Sequence, residues 1–473
     1  MRRVVVALVA LIGAALCGVG VVHVVLQGEG RQALPTIVVP AKPLQETDLS
    51  RETDAYNQRT LAGYYPRHQK SRPSWDPIAR QLLADYTAML ALRSDCRVGE
   101  GCTNSALKQV AALEKTDCDD ALIQLVAAEV LLALPRPEQA RPHLEAARRA
   151  QAKRPYPLDR MFLLPYEELR ASPDMPVERR LALLDESAAT FAKLAAQRPI
   201  PGGERYLFRR MVRWFGALDR GYWPRLLTAI EAEPKADRWL ALMLRGMTEV
   251  QLAWVTNGWE ASELLGRASP STVRLHAQAA NQALREAYRL HPERPEAACE
   301  LISLAMGGLA EPGETPALWF ERAIAAQIDE ASAYDGMTIA LLPRWGGSHR
   351  QLTEFALACL NTKRYDTDVP WQALQIAQTV WMEDDVELFR NDRLYHAFEQ
   401  AAREYARREP ESTEPLSLLL AVAARSERWA DALKLREELG PRVNRSMLGR
   451  MTRDGDGPAL LRAVREHAEA VGR

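Results

Sequence analysis

The stretch richest in groups able to do chemistry is ALLPRWGGSHRQLTEFA, Ala340–Ala356. It brings a guanidinium, an indole, two glycines, a hydroxyl and an imidazole into one turn, between Arg344 and His349. An active-site loop, a ligand clamp and a corner between two helices would all use such residues. The physical reading favours the corner. Pro343 ends one helix, and Gly346 and Gly347 supply the positive φ of a tight reversal. Ser348 and Gln351 form a capping box: the hydroxyl takes the free N–H at the third helical residue, and the amide reaches back. Trp345 packs into the corner. Arg344 and His349 are left without a structural task. With Trp345, Asp366 and Trp371 they form the candidate binding set; Gly346, Gly347 and Ser348 are structural.

Elsewhere the chemistry thins out. SALK, Ser105–Lys108, matches an S-x-x-K nucleophile motif, but no K-T-G partner accompanies it. EDDVE, Glu383–Glu387, gathers carboxylates. A cation site needs several oxygens converging in a loop, and a solvated helix end is the commoner setting. The eight histidines are scattered, with no pair at ligand spacing. The sequence has no G-x-x-x-x-G-K-[ST] phosphate loop, no G-x-S-x-G elbow and no H-E-x-x-H zinc helix. The expectation is a protein that is not an enzyme, with no catalytic residue, metal or cofactor.

Six cysteines are present. Cys17 lies in an apolar N-terminal run, while Cys299 and Cys359 sit in apolar helical patterns and read as buried small hydrophobes. SDCRVGEGCTN places Cys96 and Cys102 on either side of a glycine-containing loop, with Cys118 following. A C-x2-C zinc spacing is lacking, so a short Cys96–Cys102 disulfide is favoured over a metal site, free thiols being the third possibility.

The elements that position these residues are helices. DDALIQLVAAEVLLAL, Asp119–Leu134, carries apolar residues at helical spacing; PRPE then stops it and starts the next helix. Ala140, Leu144, Ala147 and Ala150 share one face of that next helix. RRAQAKRP, Arg148–Pro155, reads as a solvated helix end. Long helices are expected in Val177–Ala196, Asp237–Trp254, Thr272–Leu290 and Tyr395–Arg408. No run of alternating β-branched residues insists on a strand. In the second half Ala280, Leu284, Ala287 and Pro292 resemble the second helix of a tetratricopeptide repeat, in a degenerate form. Helical pairs start near Glu293, Asp329, Asp368 and Glu414, at irregular spacings of about 36, 39 and 46 residues against the ideal of about 34. Stacked hairpins of an α-solenoid explain this, since each hairpin has a face it cannot bury alone.

PRWGGSHRQLTEFALACLNTKRYDTDVPWQALQ, Pro343–Gln375, also resembles a signature of uncharacterised bacterial tetratricopeptide-like proteins, a domain of unknown function. There a PRWGGSH-like corner is followed by an apolar helix and a DTDVP-like turn, here Asp366–Pro370. The resemblance implies the repeat fold and carries no activity.

At the N-terminus, Val4–Leu26 holds one polar residue, His23. As a helix it would be about 34 Å long, enough to span a hydrocarbon core. Arg2 and Arg3 place its start in the cytoplasm, so the expectation is a single-pass membrane anchor with the C-terminal part exported to the periplasm or cell exterior; a cleaved signal peptide is the competitor. The full expected fold class is all-α: a transmembrane helix (1–27), a partly helical spacer (28–75), a helical array (76–270) and a degenerate TPR-like α-solenoid (271–473). A formal net charge of -1 gives no electrostatic case for nucleic acid. Nine of the eleven tryptophans lie between Trp214 and Trp381; most are core, and a few near Arg344, His349, Asp366 and Trp371 are placed to line a groove. The functional expectation is a membrane-anchored scaffold for an envelope protein or peptide. The alternatives are a small-molecule or glycan module with a Trp-lined groove, and an exported hydrolase without a recognisable motif.

Overall fold

A computed structural model describes residues 32–42, 48–68, 72–90, 100–134, 136–215, 222–256, 270–453 and 455–471. Among these residues every regular element is helical, and none is a strand. The repeated-helix architecture fits an α-solenoid.

The expected fold class is corrected in its transmembrane part. Among the described residues no helix is long and apolar enough to cross a membrane. The long helices are amphipathic: Val177–Ala195 carries Glu178, Arg179, Arg180, Asp185, Glu186 and Lys193. The segment 4–26, which carries the expectation of an anchor, lies outside the described residues, as do Cys17 and Cys96. Within the expected partly helical spacer, 28–75, the described residues are part extended chain and part helix. Residues 32–42 lie extended against the stretches around Glu321, Gln351 and Arg364, and Asp48–Thr60 is a helix that buries Tyr56, Asn57 and Thr60.

The chain divides into two compact units, with the boundary between Thr248 and Glu249. The sequence placed a boundary at residue 270. The first unit, from Gln45, contains α1 (Asp48–Thr60), α2 (Asp76–Leu90), α3 (Glu100–Leu113), α4 (Ala121–Ala133), α5 (Pro137–Lys153), α6 (Leu164–Ala171), α7 (Val177–Ala195), α8 (Glu204–Phe215), α9 (Tyr222–Glu231) and the start of α10 (Arg238–Thr256). Its centre is α4. Asp120 caps this helix, its carboxylate accepting from the Ile123 amide at 3.0 Å. With almost no polar residues to form a solvent face, α4 is buried at every position from Ala121 to Leu132. Its two polar side chains therefore need internal partners. Gln124 donates to the Cys118 carbonyl at 2.8 Å, and Glu129 accepts from Arg160 at 2.9 Å. Both Glu129 and Arg160 are buried. In α5 the face Ala140, Leu144, Ala147, Ala150 is buried, and Arg148 is not a free helix end but an ion-pair partner of Glu168 and Glu186.

The second unit runs from Glu249 and includes residues 32–42. After the end of α10 it contains α11 (Pro270–Leu290), α12 (Glu296–Met306), α13 (Pro316–Ala326), α14 (Ala331–Ala340), α15 (His349–Asn361), α16 (Gln372–Asp384), α17 (Asp392–Arg408), α18 (Glu414–Arg425), α19 (Trp429–Leu439), α20 (Arg445–Arg450) and α21 (Gly457–Val471). Consecutive helices pair as hairpins, and alternate helices stack: α12 on α14, α14 on α16, α15 on α17. Small residues permit this approach. Ala280, Leu284 and Ala287 are fully buried on α11, and a Cβ at Gly336 of α14 would touch Ile302 of α12 at 3.2 Å.

Candidate functional site

The corner after α14 is built from its backbone outward. Pro343–Trp345 forms one turn of 3-10 helix, and Gly346 closes it at φ 86°, where a side chain is strained. Gly347 has a different reason to be glycine: a Cβ there would lie 2.0 Å from the Leu341 carbonyl oxygen. Only the first of the two glycines has a positive φ. Ser348 then caps α15, accepting from the Gln351 amide at 3.2 Å. Its hydroxyl also donates to Gln351 Oε1 at 3.1 Å, which leaves the Gln351 side-chain NH2 pointing elsewhere.

The charged residues of this corner have partners on the last turn of α16. Arg344 pairs with Glu383 at 3.0 Å, and His349 Nε2 meets Asp384 at 2.8 Å. Asp385 pairs with Arg453 and Glu387 with Arg425. The EDDVE carboxylates therefore hold neighbouring segments of chain together. Trp345 is half-buried, its ring edge-on to Trp254 with centroids 5.7 Å apart.

Asp366 and Trp371 lie past the other end of α15. Asp366 takes two hydrogen bonds from Arg364, at 2.7 and 2.8 Å. Trp371 stacks on Tyr405, centroids 4.8 Å apart, and the Tyr405 hydroxyl donates to the Thr367 carbonyl at 2.7 Å. The five candidate binding residues thus fall into two groups separated by the length of α15, about 20 Å.

Residues 32–42 join the two groups. At the corner, the Gln32 side chain donates to the Trp345 carbonyl at 3.1 Å, and Gln351 donates its free amide to the Gln32 carbonyl. Next, the Thr36 N–H donates to Glu321 of α13 at 2.8 Å. At the far end, Arg364 donates to the Pro40 carbonyl at 3.2 Å while holding Asp366. Eight extended residues cover about 26 Å, so the segment runs alongside α15 from its first turn to just beyond its last. Glu321, Gln351 and Arg364 are side chains that read backbone.

These readers were not among the candidates found by sequence. One signal pointed toward them: PTIVVP, Pro35–Pro40, sets four β-branched residues between two prolines in a chain otherwise patterned for helix.

Among the remaining groups, Cys118 and Cys359 are buried free thiols, and burial pushes the Cys118 thiol up to about 12. Cys102 lies on α3, and its expected pairing with Cys96 falls outside the described residues. No cluster of three potential metal ligands occurs among the described residues. Beside Glu321, a cleft of about 410 Å³ is lined by Tyr288, Glu293, Leu318 and Arg322.

The chain matches no family model and no curated protein. The likeness drawn from the PRWGGSH corner and the DTDVP turn rests on those residues alone.

Proposed function

We propose that the chain is a helical-repeat scaffold whose ligand is an extended segment of polypeptide, bound beside α15. The observation that carries this reading is the docking of residues 32–42 by Glu321, Gln351 and Arg364. These side chains hold the segment by its amide and carbonyl groups. Stacked helices are suited to such work, because they present side chains at regular intervals along a continuous face. Extended peptides satisfy few of their own backbone groups, so a surface offering one acceptor and two donors at the right spacing binds them without a matching sequence.

The test uses a chain carrying Thr36→Pro, which removes the amide that Glu321 holds. A fluorescein-labelled peptide QALPTIVVPAK, copied from residues 32–42, is titrated by anisotropy. The expected result is saturable binding that Glu321→Ala weakens by roughly tenfold, the cost of a hydrogen bond to a charged group. Absence of binding at about 1 mM peptide, the effective concentration of a short tether, would remove the reading.

A further inference from the structure

We propose that Gln32–Lys42 is a tethered stand-in for the true ligand. The chain holds its own groove closed until an extended, uncharged, proline-bearing segment of another protein displaces it. The proposal rests on the reading that the surface beside α15 binds polypeptide.

The contacts are unequal in a way that suits a temporary occupant. Every hydrogen bond to the segment from a side chain of the helical array, by Glu321, Gln351 or Arg364, goes to its backbone. Any extended chain offering an amide between two carbonyls at this spacing satisfies the same groups. The side chains fit poorly by comparison. Pro35 is buried, but Leu34, Val38 and Val39 are 44%, 73% and 40% exposed. Three large apolar side chains within six residues stay in water while the backbone is held. A partner whose own body covers those positions gains what the stand-in forgoes.

A tethered segment needs little intrinsic affinity, since its effective concentration is in the millimolar range. The partner's chemistry follows from what the surface accepts. Ala33–Ala41 contains no charged residue. Pro35 and Pro40 bracket the four β-branched residues, so the occupant is stiff and extended before it binds. Neither proline has an N–H to leave unpaired.

Ligand affinity is reduced by the fraction of molecules whose groove is closed, so loosening the stand-in must tighten binding in trans. The test compares the full-length wild-type chain with Thr36→Pro and Gln32→Ala, each checked for wild-type helicity by circular dichroism. The labelled QALPTIVVPAK peptide is titrated into all three. Both variants are expected to bind roughly fivefold more tightly than wild type, the equivalent of one lost hydrogen bond. Added peptide is also expected to speed tryptic cleavage of the Arg31–Gln32 bond in the wild-type chain. Equal affinity for the three chains, with cleavage unchanged, overturns the proposal and leaves the groove reading standing. No binding to any of them overturns both.

Discussion

The Leu341 carbonyl oxygen occupies the space where a side chain on residue 347 would begin: a Cβ at Gly347 would sit 2.0 Å from it. Its neighbour Gly346 is different, with φ 86° and nothing within 4 Å of a Cβ. The two glycines therefore fail differently when replaced. Gly346→Ala strains one residue and should cost about 1–2 kcal/mol. Gly347→Ala drives a carbon into a carbonyl that belongs to the rigid end of α14, so the turn itself must move. Its cost should exceed that of Gly346→Ala by about 2 kcal/mol or more. Urea denaturation of both variants checks the order; a smaller loss for Gly347→Ala contradicts it.

In the first unit, Arg160 is fully buried and donates to Glu129, itself 5% exposed. Removing one partner strands the other charge. Arg160→Ala is expected to cost about 3–5 kcal/mol. Replacing both with apolar residues of similar volume, Arg160→Met with Glu129→Leu, should recover most of that loss. Chemical denaturation of the single and double variants reads the coupling. Additive losses would show that the pair is not what holds these residues inside.

Glu300 gives a pH dependence. It is half-buried on α12, and burial pushes its carboxyl up to about 7. Below pH about 4 the group is neutral in both folded and unfolded chains, and burial carries no charge penalty. Between its ordinary value of 4.5 and about 7 the unfolded chain ionises and the folded chain does not, so stability falls as pH rises. Above that range the loss is constant. Glu300→Gln should therefore stabilise the protein by about 1–3 kcal/mol at pH 8, with solvent screening at the partly exposed carboxyl setting the lower figure. At pH 4 it should change little. Thermal unfolding of both proteins across this range is the check; an equal effect at pH 4 and pH 8 would show that charge is not the cause.

Helix was legible because it is written in local spacing. The apolar face of α5, the small residues of α11 and the proline and glycine stops need only neighbours within one or two turns. The Ser348 cap is also local, three residues wide. The partners of Arg344 and His349 were not legible, because Glu383 and Asp384 lie some 35 residues away and meet them only when α16 returns along α15. The docking of Thr36 on Glu321 spans 285 residues. No periodicity reports such a contact. What the sequence did carry was PTIVVP, a β-branched stretch in a helical protein, and reading 28–75 as a partly helical spacer did not foresee its docking. The Gln351 side chain serves twice: its Oε1 accepts from the Ser348 hydroxyl at its own helix start, as a capping residue does, and its NH2 reaches Gln32, which no local pattern reports.

Packing and charge compete to explain why the corner holds. Arg344–Glu383 and His349–Asp384 are both partly exposed, with side-chain exposures of 28% and 13% in the first and 37% and 25% in the second. Ion pairs in such surroundings contribute about 0–1 kcal/mol each and weaken with salt. Trp345 is half-buried and sits edge-on to Trp254. Truncating a core tryptophan costs about 3–5 kcal/mol, and partial exposure brings the expectation for Trp345→Ala to about 2–4 kcal/mol. Packing should therefore dominate. Arg344→Ala and His349→Ala are each expected to cost less than about 1 kcal/mol, and double-mutant cycles with Glu383→Ala and Asp384→Ala should give coupling energies of about 0.2–1 kcal/mol. In 1 M salt, where the Debye length is about 3 Å, those couplings should shrink while the Trp345→Ala loss persists. The corner residues also meet the docked segment, because the Trp345 carbonyl accepts from Gln32. Trp345→Ala should consequently release residues 32–42 as well, seen as faster tryptic cleavage of the Arg31–Gln32 bond than in the Arg344→Ala chain. If the two charge variants free that segment and Trp345→Ala does not, the ion pairs hold the corner and packing is secondary to them.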